Sequence, residues 1–215
     1  MMITAHGGAL GTGRNTPLYF KSMEDYLVDA IEIDLRKKNG KIYLAHSPFY
    51  LFNPKKLALK RAFEFVKKNG WTVNCDVKRS GLVKEVLSEA KNMGIEDNIL
   101  FTGSVSEADL RDLDAGCVYL NATFFPYKMT EENVPQIKKH IEKFKNPRIK
   151  GINVNFRCVT DGFASACERE NLKISVYTVD EPELIKRLVA YSAVVNVTTN
   201  IPDKGLEILG RGVKK

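Results

Sequence analysis

The sequence predicts an α/β chain closed as a (β/α)₈ TIM barrel, and three observations carry that expectation. Eight short β-rich runs recur from end to end, segments of helical spacing separate most of them, and glycines stand where helix gives way to strand. Strands are expected over 3–5, 30–35, 72–77, 99–102, 118–121, 151–155, 174–179 and 194–198. The runs Ile152-Asn153-Val154 and Val194-Val195-Asn196-Val197 are β-branched, as suits strands covered on both faces. Helical spacing appears over 54–68, 82–93, 107–113, 131–144, 162–170 and 181–190. Gly70, Gly94, Gly116 and Gly151 mark the returns to the sheet, where a helix can end in the left-handed region. A second strand-like piece over 42–45 follows Asn39-Gly40, a tight-turn dipeptide, and predicts a hairpin excursion. An open doubly wound sheet is the alternative arrangement of the same elements.

The chain has 215 residues and no linker-like stretch, so one domain spanning 1–215 is expected. Hydrophobic residues at 44% and charged residues at 27% exclude disordered, collagenous and coiled-coil classes. No apolar run approaches the roughly 18 residues of a membrane span, and residues 1–10 lack a charged start before an apolar stretch, so a soluble cytoplasmic protein without stable membrane insertion is expected. The net charge of +7 is dispersed in lysine pairs such as Lys37-Lys38 and Lys138-Lys139, with no basic-aromatic module, which argues against nucleic-acid binding. Cys75, Cys117, Cys158 and Cys167 lack zinc-ligand spacing and read as reduced, mostly buried thiols. Nothing in the sequence sets an oligomeric state.

Function should show as polar groups at the carboxyl ends of apolar strands. In Ile31-Glu32-Ile33-Asp34-Leu35 the alternation places both carboxylates on one side. Their repulsion requires open water, basic neighbours or a hard cation such as Mg²⁺ or Ca²⁺; an exposed edge strand is the plainer alternative. Asn74, Asp76 and Lys78 likewise share one side of the next strand, adding a third carboxylate, with Lys78 able simply to neutralise Asp76. His6 and His46 each end a strand-like run. Two imidazoles beside a cation suit a displacement in which one activates the attacking oxygen and the other protonates the leaving group, although either could be a metal ligand or a core histidine. His140, among lysines on a helix, is expected to be exposed.

The ordered motifs His6-Gly7-Gly8, Arg14-Asn15-Thr16, Glu32-Ile33-Asp34, Lys38-Asn39-Gly40, His46-Ser47, Asp76-Val77-Lys78, Tyr177-Thr178-Val179 and Thr199-Asn200-Ile201-Pro202 resemble the glycerophosphodiester phosphodiesterase family over nearly the whole chain. That family is a (β/α)₈ group within the phosphatidylinositol phospholipase C-like superfamily. The resemblance implies a phosphoric diester hydrolase that releases glycerol phosphate from a small-molecule phosphodiester. Glu32, Asp34 and Asp76 would hold one divalent cation, Mg²⁺ or Ca²⁺. His6 and His46 would act as general base and acid, and Lys78 would steady the phosphate. Three residues depart from the family pattern. Gly7 stands where an arginine usually grips the phosphate, so Arg14, Arg79 or Arg157 is expected to reach in, Arg157 foremost. Asp76 is one methylene shorter than the family's glutamate, and Ser47 replaces an aspartate. The insertion common after the second strand is nearly missing, since only 48–53 separates His46 from the next helix, which implies a wider pocket. Tyr177, with Phe124, Phe125 and Tyr127, is expected to line the head-group side. The rivals are a phospholipase D-like lyase that stops at a cyclic phosphate, and a catalytically weak phosphodiester-binding barrel.

Overall fold

The computed structural model describes residues 1–48 and 57–212. Eight parallel strands close on themselves: β1 (Met2–Ala5), β2 (Ala30–Lys38), β4 (Thr72–Val77), β5 (Ile99–Gly103), β6 (Cys117–Asn121), β7 (Ile149–Asn155), β8 (Lys173–Tyr177) and β9 (Val194–Thr199). Closure is made where Thr4 of β1 sits opposite Ala30 of β2 and opposite Thr198 of β9. The expected hairpin is present: β3 (Lys41–Leu44) runs antiparallel to the end of β2, turned by Asn39 and Gly40, whose φ angles are 50° and 74°. Closure rules out the open sheet.

Around the barrel lie α1 (Pro17–Met23), α2 (Leu59–Asn69), α3 (Val83–Met93), α4 (Glu107–Arg111), α5 (Val134–Glu142), α6 (Asp161–Arg169), α7 (Pro182–Val189) and α8 (Pro202–Ile208). The sequence reading omitted α1 and α8. Each is seven residues long and is started by a proline at its first turn. The Thr16 hydroxyl caps α1 by accepting from Tyr19 N. Residues 131–133 form a 3₁₀ turn, so α5 begins later than expected, and β8 ends at Tyr177, two residues early. The expected helix start at Pro54 and the short segment after Pro48 lie outside the described residues.

The two faces of each strand divide the labour. In β2, Ile31, Ile33 and Leu35 are fully buried beneath the helices, while Glu32 and Asp34 point into the barrel. α2 buries Leu59, Ala62, Phe63 and Val66, one helical face, in the same core. The barrel interior carries many polar side chains, most of them hydrogen-bonded. Thr4 Oγ1 donates to Asn196 Oδ1 (2.7 Å), Asn196 Nδ2 to Ser175 Oγ (2.9 Å), and Thr102 Oγ1 to Asn74 Oδ1 (2.8 Å).

Gly103 ends β5 with a φ of 86°, and a Cβ there would lie 2.2 Å from Asp76 Oδ1 and 2.4 Å from Val77 O. Gly103→Ala should therefore cost about 3 kcal/mol or more and displace the Asp76 carboxylate as well. Thermal unfolding measures the first effect, and divalent-cation affinity the second.

His140 is half-buried, correcting the expectation that it is exposed. It is ringed by Phe124, Phe125, Tyr127 and Phe144 at centroid separations of 5.6–6.2 Å. These phenylalanines pack around a helix and do not reach the barrel mouth. All four cysteines are free, with Cys75 and Cys167 buried. No helix among the described residues is long and apolar enough to cross a membrane.

Candidate active site

A pocket of about 570 Å³ opens at the carboxyl ends of the strands. His6, Arg14, Glu32, His46, Asp76, Lys78 and Tyr177 all line it, and Asp34 lies directly behind. All eight residues come from β2, β4 and β8 or from the segments that follow β1, β3 and β4; alternation along β2 and β4 aims their carboxylates inward. One oxygen each from Glu32, Asp34 and Asp76 can be chosen so that all lie within 4.8 Å of one another.

Asp34 is the hub. Its Oδ1 accepts from Lys78 Nζ at 2.7 Å and from His46 Nδ1 at 3.1 Å, and its Oδ2 accepts from Asn15 Nδ2 at 2.8 Å. The Asn15 carbonyl in turn accepts from Asp34 N at 3.1 Å, so the loop after β1 is clamped to β2 in both directions. Burial alone would raise the Asp34 pKa, but Lys78, Asn15 and His46 outweigh it and hold the group below the usual carboxylate range. Lys78 also binds Asp76, and although burial would lower its pKa, the two carboxylates keep it above the ordinary lysine value.

Glu32 faces the opposite balance. It is 4% exposed. Burial first, then the repulsion of Asp34 and Asp76, pushes its pKa up to about 8, opposed by the hydrogen bond from Gly7 N at 2.9 Å. Tyr19 braces this corner: its hydroxyl donates to Ala5 O at 2.7 Å and accepts from Glu32 N at 3.2 Å, tying β1 to β2.

The two histidines sit differently. His6 Nδ1 contacts Asn200 Oδ1 at 2.8 Å, while Asn200 Nδ2 donates to Asp180 Oδ2 at 2.7 Å. Asp180 thereby orients the amide, so His6 carries its proton on Nδ1 and leaves Nε2 as a free lone pair, 3.4 Å from Glu32 Oε2. Burial lowers the His6 pKa, partly offset by Asn200, which favours the neutral base. The His46 side chain is 46% exposed against 16% for His6, and its Nδ1 faces Asp34, so Nε2 is turned to the opening. Asn200→Ala should free the His6 ring and lower kcat by about 10–100-fold with little change in KM, measured by steady-state kinetics.

The structure corrects several substrate-binding expectations and adds a residue. Arg157 does not line the pocket. After β7 the chain enters a 3₁₀ turn capped by Asn155, which breaks the strand alternation and swings the guanidinium over the Phe156 ring, 5.5 Å from its centroid, into shallow outer clefts. Phe124, Phe125, Tyr127 and Arg79 are also absent from the lining. Arg36, which the sequence reading passed over, is present: its Nε and Nη2 donate to His46 O at 3.2 and 2.9 Å. The signal was its place two residues beyond Asp34 on the same strand face. Asn15, Asn200 and Asp180 gave no such signal, because their roles depend on how loops fold back.

No protein-family model and no curated protein matches the sequence. Solved structures do match in fold. A phosphodiesterase from Oleispira antarctica in complex with the product sn-glycerol-3-phosphate aligns with a TM-score of 0.75 and 14% identity, over 98% of this chain and 97% of that one. A glycerophosphodiester phosphodiesterase from Parabacteroides distasonis gives 0.73 and 15%, over 97% and 96%. One from Thermotoga maritima gives 0.66 and 18%, over 98% of each chain. The chain folds as these phosphodiesterases do. At such identities the likeness speaks for the barrel, and the chemistry has to come from the pocket.

Proposed function

We propose that this protein is a divalent-cation-dependent glycerophosphodiester phosphodiesterase, acting on a small-molecule diester to give glycerol phosphate and an alcohol. One observation carries the reading: two imidazoles, each with Nδ1 engaged and Nε2 turned to the cavity, flank three converging carboxylates in a single pocket. The donor set fits a hard cation, because three carboxylates share one lysine, and burial together with the repulsion of its neighbours pushes Glu32 toward its protonated form. Glu32, Asp34 and Asp76 would hold that cation; Mg²⁺ and Ca²⁺ both suit all-oxygen donors. When bound, it would polarise a phosphoryl oxygen and stabilise the charge that develops there.

The chain's own groups supply the proton transfers. His6 Nε2 takes a proton from the attacking water as its oxygen bonds to phosphorus; where a glycerol hydroxyl attacks first, water must then open the cyclic phosphate to give glycerol phosphate. His46, its Nδ1 held by Asp34, gives an Nε2 proton to the departing alcohol oxygen as that oxygen's bond to phosphorus breaks. Asn200 and Asp180 hold the His6 tautomer through the reaction. A cytoplasmic setting belongs to the same proposal and rests on the four unpaired thiols.

Phosphorus NMR of glycerophosphocholine and glycerophosphoethanolamine incubated with the protein and Mg²⁺ or Ca²⁺ tests this. Glycerol phosphate should form, EDTA should stop it, and His6→Ala should slow it by about 10²–10⁴-fold. Accumulation of a cyclic phosphate would instead indicate the lyase outcome, and no turnover of any diester by the cation-loaded protein would sink the hydrolase reading.

A further inference from the structure

We infer that Arg36 binds the non-bridging phosphoryl oxygens of the substrate, an assignment that rests on the phosphodiester reading above. The starting point is charge. Lys78, the obvious candidate, is already engaged with both Asp34 and Asp76. Three carboxylates less Lys78 leave two negative charges, which a divalent cation cancels. His46 gives up its proton in the reaction and so is not a lasting counter-charge, and the charge that a phosphodiester brings then needs a permanent cation. Two further permanent cations line the pocket, Arg14 and Arg36.

Geometry separates them. Arg36 follows Glu32 and Asp34 at the two-residue period of β2, so a regular strand carries it to the same face. Its guanidinium is pinned along one edge by the two bonds to the His46 carbonyl. Both bonds end on one oxygen, which leaves both Nη1 protons and one Nη2 proton for an anion, and among the described residues Arg36 has no carboxylate partner. That is a fork held ready for two phosphoryl oxygens. Arg14 stands exposed on the glycine-flanked loop after β1 and would have to be ordered on binding. Because Arg36 rests on the backbone of His46, a phosphate held by it sits beside the imidazole that faces the leaving alcohol.

Calorimetry of sn-glycerol 3-phosphate binding to the Mg²⁺-loaded protein tests the assignment without requiring turnover. Arg36→Gln should weaken binding by about tenfold or more, and Arg36→Lys, which keeps charge but loses the fork, by about threefold to tenfold. Arg14→Gln should change it by less than about threefold. Mg²⁺ affinity and melting temperature of the Arg36 variants should stay near wild type, and KM should rise more than kcat falls. Undiminished product affinity in Arg36→Gln would overturn the inference. So would a larger loss in Arg14→Gln, or a loss that tracks Mg²⁺ affinity or melting temperature, since Arg36 would then only support His46. A wild type that binds product through Arg36 yet cleaves no diester would leave this assignment standing and remove the hydrolase reading.

Discussion

Asp34→Asn is expected to lower kcat/KM by about 10³-fold or more and to destabilise the protein by about 3 kcal/mol, although the substitution exchanges one atom. The carboxylate accepts on both oxygens: Lys78 and His46 reach Oδ1, and Asn15 reaches Oδ2. An asparagine has only one acceptor oxygen. If it faces Lys78 and His46, its NH₂ meets the NH₂ of Asn15. Turning the Asn15 amide would relieve that clash but would present its NH₂ to Asp34 N, losing the return bond. No arrangement satisfies all four groups. Removing a charge does relieve repulsion on Glu32, so two effects compete. The sign follows from Asp34 itself: its pKa is held low, which means that attraction by Lys78 and its hydrogen bonds outweighs burial and repulsion. Its ionised form stabilises the fold above the ordinary carboxylate value, and that stability is lost as pH falls through the lowered folded value. Steady-state kinetics at saturating cation and urea unfolding near neutral pH check the two effects. Activity within about tenfold of wild type would show that Asp34 is not central to the site.

What the sequence could disclose about this site followed from short-range geometry. Alternation along β2 and β4 is enough to put Glu32 with Asp34, and Asp76 with Lys78, on inward faces, and the Asn39-Gly40 turn sets the hairpin that brings His46 back beside β2. The same rule misled at Arg157, where it continues the inward row of Asn153 and Asn155. A 3₁₀ turn begins there and the period of two no longer applies. His140 shows the complementary failure. Its sequence neighbours are lysines, but its spatial neighbours are aromatic residues from the loop after β6, a contact that no local pattern encodes. The Asp180–Asn200–His6 relay joins residues up to 194 positions apart and depends on ring closure between β1 and β9.

Cation binding should tighten with pH by about tenfold per unit, one proton's worth or 1.36 kcal/mol, and level off near pH 8, where Glu32 ionises without help. Below that value the buried, repelled carboxyl holds a proton that the cation must displace. A lower pH therefore taxes binding even though the neighbouring Asp34 is already ionised. Stability of the cation-free protein provides an independent reading of the same group. The unfolded chain releases the Glu32 proton near its ordinary value of 4.5, and the folded protein keeps it until about 8. Over that range Glu32 makes the folded state bind more protons, while the lowered His6 pKa works the other way below its ordinary 6.5, so the fall in stability with rising pH, at most about 1.4 kcal/mol per unit, shows cleanly between 6.5 and about 8. The Asp34 contribution is acquired at lower pH, below its ordinary value of 3.8, and does not mask this slope. Glu32→Gln should flatten both curves: it removes the titration, weakens the cation by taking away a ligand, and leaves the metal-free protein more stable at high pH than wild type. Isothermal titration of Mg²⁺ across this range, with melting curves in EDTA, measures all three, and a cation affinity independent of pH would show that Glu32 is ionised throughout and that the buried charge is balanced by some other group.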